Sequence, residues 1–117
     1  MAKSISLKIA QLIKRHKYIL KKLATTTPKN RKKILINAPS ELYIVLHHVF
    51  KLLADGKIQF NKKHETKIKK HGRFIQSVSK LNSKTIKAKL IRQKGGSLAK
   101  VLTTILPIIG AVVKSIL

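Results

Sequence analysis

The sequence predicts an all-α protein: a small bundle of about five short helices followed by a C-terminal amphipathic, apolar helix. Three observations point that way. Val, Ile and Leu recur three to four residues apart, the spacing of a helix face, and no useful stretch alternates as a strand would. Ser, Thr, Asn, Pro and Gly stand where those apolar runs begin and end. Finally, 44% of the 117 residues are hydrophobic, too many for a charged random coil even at a net charge of +24.

The first helix starts at Ser4, a good N-cap, and sets Ile5, Ile9, Leu12, Ile13, Leu20 and Leu23 along one stripe. His16 falls on that stripe, and Lys8, Lys14, Lys17, Lys21 and Lys22 lie largely away from it. The run Thr25-Thr26-Thr27-Pro28 ends it, and Pro28 suits the first turn of a short second helix near 28–37. A third starts at Pro39, with Glu41 near its positive end, and closes at Asp55-Gly56. It is apolar nearly all round, from Leu42 through Leu53, which marks a central core helix. Asn61 caps a fourth helix with Ile68, Ile75 and Val78 inward, broken or bent at Gly72. Ser83 caps a fifth carrying Ile86 and Leu90, stopped by Gly95-Gly96.

The charge excludes more functions than it allows. Twenty-seven Lys and Arg face three acids, Glu41, Asp55 and Glu65, which leaves little for acid–base pairs or carboxylate metal sites. No cysteine means no disulfide, no thiolate zinc site and no thiol nucleophile. His47 and His48 are adjacent, so a helix turns them about 100° apart, and neither has a His or carboxylate four residues on. They read as ordinary helix residues, one at the core edge. The expectation is a non-enzymatic protein with no cofactor and no metal. Residues 1–24 are interrupted by lysine every few positions, unlike an unbroken secretory apolar run, so no secretory signal is expected.

The positive charge sits in blocks: +11 over residues 1–36, −1 over 37–56, +12 over 57–94 and +2 over 95–117. A charge this large strains a compact chain unless a polyanion neutralises it, so the expected partner is nucleic acid or an anionic membrane surface. Lysine outnumbers arginine 23 to 4. Base reading leans on arginine forks and on Asn and Gln, whereas lysine acts as a point charge on phosphate. The pattern therefore favours sequence-independent binding through phosphate contacts. The candidate residues are Lys62, Lys63, Lys67, Lys69, Lys70 and Arg73 in one cluster, and Lys80, Lys84, Lys87, Lys89, Arg92 and Lys94 in a second. Lys29, Arg31, Lys32 and Lys33 form a third. Phe60 and Phe74 are the only aromatics in the second basic block, which fits a duplex better than a stacked single strand.

Residues 97–117 are different. On a helix, Lys100, Thr103, Thr104, Pro107, Gly110 or Ala111, and Lys114 form one narrow polar or small stripe. Leu98, Leu102, Ile105, Ile109, Val112, Val113 and Ile116 fill the broad apolar remainder. Thirteen uncharged residues separate the two lysines, short of the ~20 of a simple span, so the pattern fits an interfacial, membrane-contacting helix. A core helix packed on the rest of the chain fits it too.

Two resemblances sharpen these expectations. Lys100-Val101-Leu102-Thr103-Thr104 and Leu106-Pro107 look like the matching stretches of melittin-type lytic peptides, which implies a kinked, membrane-active helix. The basic helical region, then Gln93-Lys94-Gly95-Gly96, then the Leu-Pro-Ile-Ile-Gly-Ala stretch, resembles the adenovirus core protein precursor X (mu precursor) family and the small basic proteins of adintovirus, or Polinton, elements. That resemblance implies a virion protein that condenses viral DNA, with Gly95 and Gly96 as a processing site for an adenovirus-type maturation protease. Gln93 stands where that protease usually takes a large aliphatic residue, and the double glycine fits a plain helix stop equally. The expected organisation is a basic nucleic-acid-binding domain at 1–94, a Gly-Gly junction at 95–96 and a membrane-active helix at 97–117. Capsid proteins are further expected partners, and the virion and the host nucleus or cytoplasm the expected locations. The competing reading is a membrane-lytic or antimicrobial effector whose lysines engage anionic lipid. A third is a helical module whose tail completes its core.

Overall fold

The side chain of Ser6 accepts the amide of Ile9 and opens the first helix, α1 (Leu7–Thr25). The computed structural model describes residues 6–56, 58, 60–93 and 96–117. The cap expected at Ser4, and Ile5 on the stripe, lie outside the described residues. Thr27 caps α2 (Pro28–Asn37), with Pro28 in its first turn. Pro39 precedes α3 (Ser40–Ala54), which ends at Asp55-Gly56, where Gly56 takes φ +68°. That left-handed turn is open to glycine and strained for other residues.

The break expected at Gly72 is complete. It leaves two helices, α4 (Lys62–Lys69), capped by Asn61, and α5 (Gly72–Ser79). The cap of α6 (Ser83–Arg92) is Asn82 rather than the expected Ser83: its Oδ1 accepts the amides of Lys84 at 3.0 Å and Thr85 at 2.9 Å. Two good capping residues stand side by side there, and the one whose carbonyl oxygen reaches two orphan amides sets the start. Last comes α7 (Ser97–Ile116), with Gly96 as its N-cap. The described residues contain seven helices and no strand.

As expected, α3 is the core helix. Leu42, Val45, Leu46 and Phe50 are wholly buried, and α1, α5 and α6 pack round it. Phe50 meets Phe74 of α5 edge-to-face, ring centroids 5.6 Å apart. The Tyr43 hydroxyl donates to the Leu35 carbonyl of α2, and burial pushes its pKa up to about 12.

The most extensive helix pairing is α1 with α7. Leu98, Val101, Leu102, Ile105, Ile109 and Val113 belong to the same core as Ile9, Leu12, Ile13, Leu20 and Leu23. Residues 97–117 therefore form one body with the preceding helices.

Candidate nucleic-acid interface

Helical periodicity decides which lysines stand together. Lys67 of α4 and Lys70 at its C-cap are three apart and share a face, while Lys69 lies on a different one, four residues from Glu65. The single cluster expected over 62–73 accordingly divides. Lys69 and Arg73 join Lys80 round a depression floored by Leu53 and Ile75. Lys67 and Lys70 turn instead toward α7 and share a cavity with Lys100. Lys62 and Lys63 stand exposed in the first turn of α4.

The other two clusters merge. The start of α2 lies against the end of α6, so Lys29, Arg31 and Lys32 surround one cavity with Arg92. Lys89 lines an adjoining depression with Arg92. Lys33 and Lys84 are exposed on the same two helices. Lys87 is half-buried, its Nζ 5.8 Å from the centre of the Tyr43 ring. Lys94 and Gly95 lie outside the described residues.

Arg31 has another task. Its Nε donates to the Leu23 carbonyl at 3.0 Å and its Nη2 to the Thr26 carbonyl at 2.9 Å. A fixed guanidinium fork thus satisfies the last turn of α1, where carbonyls lack helical partners and a positive charge is favoured. Arg31 is a clamp across the α1–α2 turn as well as a member of the basic patch.

Few acids answer this charge. Glu41 sits between Arg15, at 3.3 Å, and the buried His16, whose Nε2 is 3.4 Å from Oε1. Glu65 pairs with Lys69 at 3.2 Å. Arg15–Glu41 and Lys69–Glu65 are the ion pairs between a Lys or Arg and an acid among the described residues. Apart from the partly buried Arg31 and Lys87, the Lys and Arg side chains of α2, α4, α5 and α6 are exposed. Desolvation, helped by His47 and Lys51, holds the pKa of His48 below the ordinary histidine value.

The apolar residues expected to meet lipid face inward. Leu98, Leu102, Ile105, Ile109 and Val113 are buried, and Val112 and Ile116 are half-buried against the core. The polar stripe faces outward: Lys100, Thr103, Pro107, Gly110 and Lys114 are exposed. In this arrangement, contact between those side chains and a bilayer requires α7 to leave α1. By length and composition α7 is nonetheless apolar enough to cross a membrane, with 20 residues and a mean hydropathy of 1.7 in its best window.

Sequence reasoning left Lys100 and His71 out of the basic surface. Lys100 was legible as part of a polar stripe, but its approach to Lys67 and Lys70 depends on the packing of α4 against α7. No protein-family model matches this chain, and no curated protein or solved structure matches it either.

Proposed function

We propose that this chain is a non-enzymatic, sequence-independent nucleic-acid-binding protein that neutralises duplex DNA through lysine–phosphate contacts. One observation carries the reading: lysines stand exposed on α2, α4 and α6, Arg73 and the C-cap Lys80 add to them at α5, and the ion-paired acids among the described residues are only Glu41 and Glu65. Such a surface releases counterions from any duplex it meets and has few forked donors to tell one base pair from another. The resemblance to adenovirus-type core proteins extends the proposal to a virion protein that packages its genome.

Gly96 fits the processing part of that proposal. Its φ of −87° is open to any residue, and an added Cβ would meet nothing nearer than Lys100 Cε at 3.8 Å. Neither backbone nor packing requires glycine there, which leaves room for a protease to have selected it.

The lytic reading is supported by the length and hydropathy of α7. Two parallel titrations of the intact chain separate the readings: duplex binding by fluorescence anisotropy and dye release from anionic vesicles. The proposal expects duplex binding at concentrations well below any leakage. Leakage at low dose together with weak duplex binding would overturn it.

A further inference from the structure

Three positive charges meet where α4, α7 and the end of α1 come together. Lys67, Lys70, His71, Lys100, Thr103 and Thr104 line a cavity of about 450 Å³. No acid lines it. Glu65 is paired with Lys69, whose side chain lines a different depression, and Glu41 is paired with Arg15. The three exposed lysines thus line the cavity with no acid among its walls, and an anion entering it is attracted by all three. The threonine hydroxyls take little part, because Thr103 donates to the Ala99 carbonyl at 2.7 Å and Thr104 to the Lys100 carbonyl at 3.0 Å. His71 Nδ1 lies 3.2 Å from Ser97 Oγ; when the hydroxyl donates to it, the ring's proton sits on Nε2 as a further donor.

We infer that this cavity is a phosphate-binding subsite that seats a backbone phosphate of bound duplex, an assignment that rests on the nucleic-acid reading above. Its cationic walls come from two helices, Lys67 of α4 with Lys70 at that helix's C-cap, and Lys100 of α7. A phosphate held there bridges the helices and stabilises the docked position of α7, because a ligand of the docked state alone shifts the equilibrium toward it. Nucleic-acid binding and the seating of the apolar C-terminal helix are thereby coupled: the duplex holds α7 on α1.

The test uses the intact chain with inorganic pyrophosphate as the first probe and duplex DNA as the second. Pyrophosphate is expected to move the amide resonances of Lys67, Lys70, His71 and Lys100 and to slow amide exchange in α7. Lys70→Gln with Lys100→Gln should weaken its binding about tenfold, the loss of one to two charge-assisted contacts. Lys8→Gln with Lys14→Gln, exposed positions on α1 outside the basic clusters, should leave it unchanged. Equal weakening by both pairs, or shifts spread evenly over all basic helices, would overturn the subsite. If duplex binds the wild type and the Lys70/Lys100 variant equally, the subsite fails while nucleic-acid binding stands. If pyrophosphate binds as expected but duplex does not bind at all, the nucleic-acid assignment fails and the cavity stands as an anion site. Displacement of pyrophosphate by phosphatidylglycerol vesicles and not by duplex would move the phosphate to a lipid headgroup and overturn the assignment.

Discussion

Ending the chain at Gly96 removes Leu98, Val101, Leu102, Ile105, Ile109 and Val113, each no more than 6% exposed. Burial of one such side chain stabilises by about 1.5–3 kcal/mol, so the six together account for about 9–18 kcal/mol. The whole stability of a domain this size is about 5–15 kcal/mol. The truncation also uncovers the α1 stripe of Ile9, Leu12, Ile13, Leu20 and Leu23, which has no other partner of comparable extent. Residues 1–96 alone are therefore expected to show no cooperative unfolding transition. A graded version is Ile105→Ala, at a wholly buried position, with an expected cost of about 2–5 kcal/mol. Urea unfolding followed by far-ultraviolet circular dichroism reads both, with an unchanged m-value in the point variant. A residue 1–96 fragment that melts cooperatively near the full-length midpoint would refute the placement of α7 in the core. An Ile105→Ala loss below about 1 kcal/mol would do the same.

Two further outcomes follow from single side chains. Arg31→Ala should cost about 1–3 kcal/mol by releasing the Leu23 and Thr26 carbonyls, and Arg31→Lys should recover only part, since lysine has no fork. Lys32→Ala, one position on and exposed, should leave stability unchanged; equal losses at 31 and 32 would contradict the clamp. In a Tyr18→Phe variant the remaining phenol is Tyr43, and absorbance titration should give a midpoint at about 12 rather than 10. The folded state favours the neutral phenol, so this stabilisation is full below pH 10 and lost as pH rises toward 12. It amounts to about 2–3 kcal/mol over two pH units. A midpoint near 10 would mean that the ring is not buried.

The elements were legible in the sequence because each is set locally. Pro39, Glu41 and Asp55-Gly56 bound α3, and apolar residues on nearly every side of it put it at the centre. What sequence leaves open depends on partners far along the chain. The tail's pattern is the same whether its apolar face meets lipid or α1, because both are apolar; only the packed structure puts Ile105 and Ile109 in the core. Arg31 reads as one more cation in a basic run until the Thr26–Pro28 turn brings it back to the end of α1. The basic clusters were legible as charge, but their division between Lys69 and Lys70 follows from helix phase together with the positions of α3 and α7. Hydropathy and charge thus locate surfaces and cores, and topology assigns which surfaces meet.

The central claim, that a lysine surface binds duplex through its phosphates alone, is tested most directly by titrating affinity against salt for two unrelated duplexes of equal length. Engagement of about six phosphates gives a log–log slope of about −5, with matching affinities for the two sequences at every salt concentration. A slope shallower than about −1, or a strong preference for one sequence that persists at high salt, would contradict the account.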